Sequence, residues 1–297
     1  MRRLRLLSEL SRRGTIAEVA RAVGYTPSAV SQALAQLERE TGVALLERDG
    51  RRVRLTRAAT GLVARTDRVL DELDAAAAEL AAEHGTVTGS VAIGAFPSAA
   101  ARIAVPAVRE LRARHGELEC TVREHEPEDG IPLLRAGELD VLVTESYEGV
   151  HPAAVGGLDS HALLTEPLLL VLPRDHPAPE PVDLRTLSAE PWIGGLAGTQ
   201  YAPALELACR AAGVEPRFAH TADEASVLHA LAAAGLGVAL VPALACHGFD
   251  GVRYARATPA PPRRHVAALV RRGAGRRPAV AAVLGALQRS ASAATAA

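Results

Sequence analysis

The chain has 297 residues, room for about two ordinary domains, with 48% hydrophobic and 23% charged residues and a formal net charge of −1. These are values of a soluble globular protein. No uninterrupted apolar run approaches the roughly 20 residues that span a bilayer, and the basic start "MRRLRLLSELSRRGT" lacks the apolar core of a secretion signal, so a cytoplasmic location is expected. Every basic residue is an arginine; with no lysine in the chain, a Walker-type phosphate loop and a pyridoxal Schiff base are both excluded.

The near-neutral total hides an uneven spread. Residues 1–57 hold 12 Arg against 6 acids, residues 58–83 hold 2 against 6, and the rest holds 19 against 22. A basic head on an acidic body points to a polyanionic partner for the head alone.

In chain order, Leu4, Leu7 and Leu10 share one face of a first helix, and Gly14-Thr15 interrupts it. Thr15 is a candidate N-cap for a second helix carrying Ile16, Val19, Ala20 and Val23. Gly24 makes a turn. Thr26 can cap the next helix, Pro27 suits its first position, and Gly42 ends it. Two short helices joined by a tight glycine turn form a helix-turn-helix pattern. "ERDGRR" follows, with Asp49-Gly50 between two extended runs, which predicts a hairpin projecting arginines. A hairpin placed there makes the pattern winged.

The third helix has two faces. Val30, Leu34 and Leu37 fall together, and Ser28, Gln32, Gln36 and Arg39 fall opposite. Such a slim face of hydroxyl, amide and guanidinium groups fits a DNA major groove about 12 Å wide. Taken alone, it is also the face of an ordinary solvated helix.

From Leu55 the pattern changes. Leu55, Ala59, Leu62, Thr66, Val69, Leu73, Ala76 and Leu80 form an alternating four-three seam, which predicts a coiled coil with a second subunit; packing on the chain's own body is the competing reading. "EHGTVTG" breaks that helix as a hinge. Beyond it, strand and helix signals interleave, which predicts an α/β body with mostly parallel sheets. Pro106 is expected to kink the helix that follows the first strand. "RDHPAPEPVD" reads as a surface loop. Cys120, Cys209 and Cys246 lie far apart with no CxxC pair, and read as small buried thiols.

Residues 14–56, "GTIAEVARAVGYTPSAVSQALAQLERETGVALLERDGRRVRLT", carry a hydrophobic spacing, an "S-x-AVS" helix core and an "L-x-R…R-V-x-LT" wing. In these, the chain resembles the LysR-type transcriptional regulators. "RAGELDVLVT" (135–144) and "GLGVALVP" (235–242) are similar to two further segments of that family, and the resemblance covers essentially the whole chain. The displaced Gly61 and a first helix without an aromatic pair are departures. The resemblance implies an N-terminal all-α winged helix-turn-helix plus a linker helix, then a C-terminal α/β two-subdomain body resembling a type 2 solute-binding protein. The expected boundaries are 1–57 for the DNA-binding head, 58–86 for the linker helix and hinge, and 87–297 for the effector-binding domain. Within that domain, subdomain one is expected at about 90–162 and 266–297 and subdomain two at about 163–265, with crossovers near "HALLT" and "RRHVA".

The resemblance places DNA contacts on Pro27, Ser28, Ser31 and Gln32. Gln36 and Arg39 are expected in a secondary role, and Arg51, Arg52 and Arg54 of the wing at phosphates or a minor groove. It places effector contacts at Ser98 and Thr144; Thr199 and Gln200 could face Ser98 across a cleft lined by Phe96 and Tyr201. The first role expected of Ser98 is an N-cap, with which an effector contact is compatible, and core packing is expected of Phe96 ahead of cleft lining. The implied partners are double-stranded DNA, a small organic effector with a carboxylate-bearing molecule as the candidate class, a homodimer through the linker helix arranged as a dimer of dimers (a homotetramer), and the transcription machinery. No cofactor, metal or membrane is implied. Catalysis finds little support: there is no HExxH or GxSxG, and the carboxylates of "EHEPED" and "TESYE" read as solvated loops. The alternative is a solute-binding or metabolic enzyme-like protein with an incidental basic head, which leaves residues 1–57 unexplained.

Overall fold

The computed structural model describes residues 2–49, 52–82, 87–150 and 155–296. Gly50, Arg51 and hinge residues 83–86 therefore lie outside the described residues, as do the side chains of Arg52, Leu73, Ala76 and Leu80. The chain divides into two compact units, a smaller one built on Met1–Gly85 and a larger one on Thr86–Leu134 and Leu139–Ala297.

In the smaller unit, α1 (Arg2–Arg13), α2 (Ile16–Val23) and α3 (Pro27–Thr41) precede the antiparallel pair β1 (Leu46–Asp49) and β2 (Arg52–Leu55), and α4 (Arg57–Ala82) follows. The caps are the expected ones. Thr15 Oγ1 accepts from Glu18 N–H and Thr26 Oγ1 from Ala29 N–H, each at 3.2 Å. Gly42 ends α3 at φ +67°, a left-handed conformation that a Cβ would strain. Leu6, Leu7 and Leu10 of α1 pack with Val19, Val30 and Leu34 in one core.

Polar bonds then tie the hairpin to both flanking helices. Glu38 Oε1 near the end of α3 accepts from Leu45 N–H at 2.8 Å and Leu46 N–H at 3.0 Å. Thr56 Oγ1 donates to Ala44 O and accepts from Ala59 N–H, capping α4.

The seam on α4 is divided. Ala59 and Thr66 are 0% and 3% exposed, beside Val63 at 8%. Ala59 and Val63 belong to the same core as α1, and Ser8 hydrogen-bonds Asp67. Val69 is 50% exposed. The first half of the seam is thus covered by the chain's own α1, which corrects the expectation of a partner helix along all of it. The 3.6-residue repeat specifies an apolar face but not which neighbour covers it.

The larger unit begins with β3 (Gly89–Ala95). α5 (Pro97–Ala99) runs through a π-helical turn, Ala100–Ala104, into α6 (Val105–Arg114). The irregularity expected at Pro106 is this turn, where the ladder widens just ahead of a residue without an N–H. β4 (Leu118–Glu124), α7 (Pro127–Ala136), β5 (Val141–Tyr147), β6 (Leu158–Glu166), β7 (Leu168–Pro173) and β8 (Val182–Asp183) follow. Next come β9 (Pro191–Gly194), α8 (Tyr201–Ala211), β10 (Arg217–Thr221), α9 (Ala225–Ala233), β11 (Ala239–Pro242), β12 (Val252–Ala255) and β13 (Ala257–Thr258). β14 (Arg264–Arg271) and α10 (Pro278–Ala296) close the unit.

One sheet has the order β4-β3-β5-β14-β6. Its first three strands are parallel, and β14 runs antiparallel to β5 and β6. In the second layer β7 lies antiparallel between β11 and β12, while β9 and β10 are parallel. The body is therefore not mostly parallel: the first sheet is mixed because β14 returns from the second layer to join it, and the second layer sets an antiparallel three-stranded sheet beside a parallel pair. β6 belongs to that first sheet through Glu166, so the chain changes layer at Pro167 and returns just before Arg264. Gly237 of "GLGVALVP" is fixed by closeness: a Cβ there would sit 2.9 Å from Pro191 O. Asp140 of "GELD" accepts from Ala92 N–H and from the guanidinium groups of Arg271 and Arg277, locking the start of β5.

Candidate functional site

The first half of α3 presents Pro27, Ser28, Ser31 and Gln32, all exposed, above a seat of Val30, Leu34 and Leu37 that are 0%, 1% and 5% exposed. Further along, Gln36 Nε2 donates to Glu40, Arg39 Nη2 donates to Gln36 Oε1 at 2.6 Å, and Arg3 pairs with Glu40. The two halves differ in chemistry: the leading half shows uncharged polar groups, and the trailing half knits its charges to one another. On the wing, Arg54 is exposed opposite Glu47 in the hairpin register.

In the larger unit a cavity of about 80 Å³ lies between the two layers where the chain crosses over. It brings together Phe96, Ser98, Thr199 and Tyr201, as the sequence suggests, but neither Thr144 nor Gln200 lines it. Thr144 is one residue out of phase: successive strand residues face opposite ways, and its neighbour Glu145 takes the cavity side. Gln200 precedes α8, and its buried Oε1 has no hydrogen-bond partner among the described residues.

The centre of the site is Arg264, only 4% exposed. Its Nη1 donates to Glu145 Oε2 at 2.7 Å and its Nε to Glu166 Oε1 at 2.8 Å. Its Nη2 reaches Ser98 Oγ at 3.3 Å, and the guanidinium lies 4.9 Å from the centre of the Phe96 ring. The β14 register places Arg264 opposite both Tyr147 and Glu166. Glu166 accepts a further bond from Leu244 N–H in the second layer, so the pair bridges the layers at the crossover. Burial alone would lower the basicity of Arg264, but the carboxylates of Glu145 and Glu166 outweigh it and hold the guanidinium protonated. Burial pushes the Glu145 carboxyl up, against the pull of Arg264. Tyr201 donates its hydroxyl to Leu240 O at 2.7 Å, and Tyr147 donates to Glu145.

Glu126, Asp223 and Glu224 add three more carboxylates to the lining. Glu126 is raised to about 7, first by burial and then by Glu145, Glu128, Asp223 and Glu224. Sequence reasoning missed all of these. "EHEPED" and "TESYE" were expected to be solvated loops, yet Glu126, Glu145 and Tyr147 from them face the cavity. The carboxylate-bearing effector considered from sequence meets an acidic wall, whose one arginine among the described residues is already paired. Among the described residues, no group of His, Cys, Asp or Glu is placed to hold a metal ion.

Two family descriptions match the chain: "Bacterial regulatory helix-turn-helix protein, lysR family" over residues 1–60, and "LysR substrate binding domain" over residues 84–292. A probable hydrogen peroxide-inducible genes activator of Streptomyces viridosporus is 32% identical over 274 residues, covering 87% of this chain and 84% of that protein. The probable regulator LrrA of Synechococcus elongatus is 27% identical over 97% of this chain and 96% of its own. Among solved structures, a full-length OxyR point variant from Pseudomonas aeruginosa overlays with a TM-score of 0.75 at 20% identity, covering 96% of this chain and 93% of that one. Full-length CbnR complexed with its target DNA gives 0.58 at 20% identity, over 98% and 99%. With the head and the body matched in this order along one chain, the protein belongs to the LysR family of DNA-binding transcriptional regulators, a helix-turn-helix head followed by an effector-binding domain.

Proposed function

We propose that this regulator reads a dyad-related promoter site as a homodimer, and that a small molecule in the cavity at the layer crossover changes how tightly the site is held. The observation that carries the DNA half is the leading face of α3. Pro27, Ser28, Ser31 and Gln32 are exposed and uncharged, on a helix seated by fully buried aliphatics. The N-terminal half of a recognition helix is the part that reaches base edges, and a glutamine amide pairs bidentately with adenine N6 and N7. Arg39 and Gln36, bonded to each other, serve phosphates, together with Arg51, Arg52 and Arg54 of the wing. The dimer forms along the half of the α4 seam beyond Thr66, starting at the exposed Val69; two such dimers make the tetramer. No helix of the described residues is long and apolar enough to cross a membrane, and the cytoplasm is the place where a promoter reader and the transcription machinery meet.

The names of several relatives raise a second reading, a response to hydrogen peroxide. The thiols argue for a bound ligand instead. Oxidation by peroxide needs a thiolate, whereas burial raises Cys209 and Cys246 to about 12 and also raises Cys120. Cys246 further spends its thiol hydrogen on backbone carbonyls of Val241 and Pro242. The test is a gel-shift and footprint of the full chain on the DNA flanking its own gene, with and without peroxide. Protection of a dyad-related site, unchanged by peroxide, supports the proposal. No protected site on that DNA, with only salt-sensitive non-specific binding, sinks it.

A further inference from the structure

We infer that the cavity of the effector-binding domain takes a small organic cation, an ammonium or guanidinium on a short carbon skeleton, and not an anion. The inference rests on the effector reading above and names the ligand's class. The cavity itself defines the site, within a domain matched as substrate-binding over residues 84–292.

Among the described residues, the one cationic side chain in the lining is already spent. Arg264 has Glu145 at 2.7 Å on one side and Glu166 at 2.6 Å on the other, and these partners are 11% and 4% exposed. Its ring-facing surface lies on Phe96, and its remaining edge reaches Ser98. A ligand carboxylate could reach this guanidinium only by displacing a buried acid, which would then be left unpaired in a low-dielectric interior. An arginine that binds substrate anions keeps a free fork; this one has none to offer.

The surplus charge in the lining is negative. Glu126, Asp223 and Glu224 border the cavity, and among the described residues none of them has an arginine or histidine within ion-pair distance. Their neighbourhood already tells on Glu126, whose carboxyl is lifted to about 7 by burial and then by the surrounding acids. A bound cation relieves this repulsion, whereas a bound anion adds to it.

The positive ends of nearby helices do not reverse the balance. Glu126 stands immediately before α7, and Asp223 and Glu224 immediately before α9. Asp223 accepts from Leu196 N–H at 2.8 Å. These helix starts, which would otherwise attract an anion, are matched by the chain's own carboxylates.

An apolar wall completes the site. Phe96, Tyr147, Tyr201, Leu228 and Val241 surround the acids, and both tyrosine hydroxyls are committed to protein partners, which leaves ring faces. Aromatic faces beside carboxylates are a chemistry for organic cations. The protein shows the arrangement in itself, since Arg264 sits on Phe96 between two carboxylates. The cavity's 80 Å³ suits a molecule of diamine size.

The experiment is a thermal-shift titration of the full-length protein at physiological salt with putrescine, agmatine and succinate, because a ligand that binds only the folded state raises the melting temperature with concentration. Putrescine or agmatine is expected to raise it and succinate to leave it in place. A Glu126→Gln/Asp223→Asn variant, which keeps the acceptor for Leu196 N–H, is expected to bind the stabilising amine about tenfold more weakly. A melting temperature unmoved by both amines, or raised by succinate, overturns the inference; so does amine binding that is unchanged in the double variant. None of these outcomes touches the footprint assay, so the ligand class and the regulator reading fail separately.

Discussion

The reading helix and the effector cavity solve opposite problems. On α3 the polar groups proposed to meet DNA are uncharged and exposed, set over an apolar seat formed within one turn-and-helix segment. In the cavity the decisive groups are charged and hidden, and they come from far apart: Arg264 lies 166 positions from Ser98, 119 from Glu145 and 98 from Glu166. A surface that reads DNA needs groups free to exchange water for base edges. A site that distinguishes small molecules by charge needs its electrostatics shielded from water, where each charge counts for more.

This contrast can be broken most forcefully at Arg264. Arg264→Ala leaves Glu145 and Glu166 buried without their counter-ion, and should cost about 3–5 kcal/mol in denaturant unfolding. Melts followed separately for head and body should show the loss in the body alone. A loss near zero would mean that the cavity charges are solvated, and the contrast would vanish.

Gln32→Ala tests the other pole. Operator binding should weaken by about 1–3 kcal/mol, non-specific DNA binding should hold, and the fold should be unaffected because the side chain is exposed. A specificity ratio equal to wild type would strike Gln32 from the reading set.

A third effect separates the regions by pH. Glu126 faces Glu145 on β5, Asp223 and Glu224 before α9, and Glu128 in the first turn of α7, with Arg264 across the cavity. A cation binds the ionised carboxylate better, and Glu126 in the free protein titrates at about 7. Amine affinity should therefore rise as pH climbs from about 6 to about 8, by up to about tenfold, and Glu126→Gln should flatten the profile. Calorimetric titration across that range decides it, with affinity falling as pH rises being the contrary result.

The smallest effect is local. Thr26→Ala removes the cap of α3 and should cost the head about 1 kcal/mol. A thermal melt of the full chain reads it, and an unchanged head transition would show that the cap carries no stability.

The same contrast explains what could be read from the letters of the chain. Thr26, Pro27, Val30 and Gly42 announce their roles because a cap, a helix period and a left-handed stop are settled within a few residues. The seam on α4 announced an apolar face but could not name its cover, and α1 supplies half of it. In the cavity a single step of strand parity exchanged Thr144 for Glu145. The pairing of Arg264 with Glu166 depends on how β14 and β6 register, which no spacing in either segment encodes. Glu126 was overlooked because a cluster of acids before a helix is usually a wet loop, and only the folding of the second layer over it makes it a wall.

Glu38 gives the head a property of a rigid gauge. By holding the backbone of Leu45 and Leu46, its carboxylate fixes the wing to the end of the reading helix. On the proposed reading, with α3 in the groove and the wing at the phosphates, the two then keep one set separation and one angular phase. Where an operator's groove and its neighbouring phosphates fall out of step with that gauge, the duplex must twist or bend to fit. Sequences that deform easily would be favoured at base pairs the protein never touches.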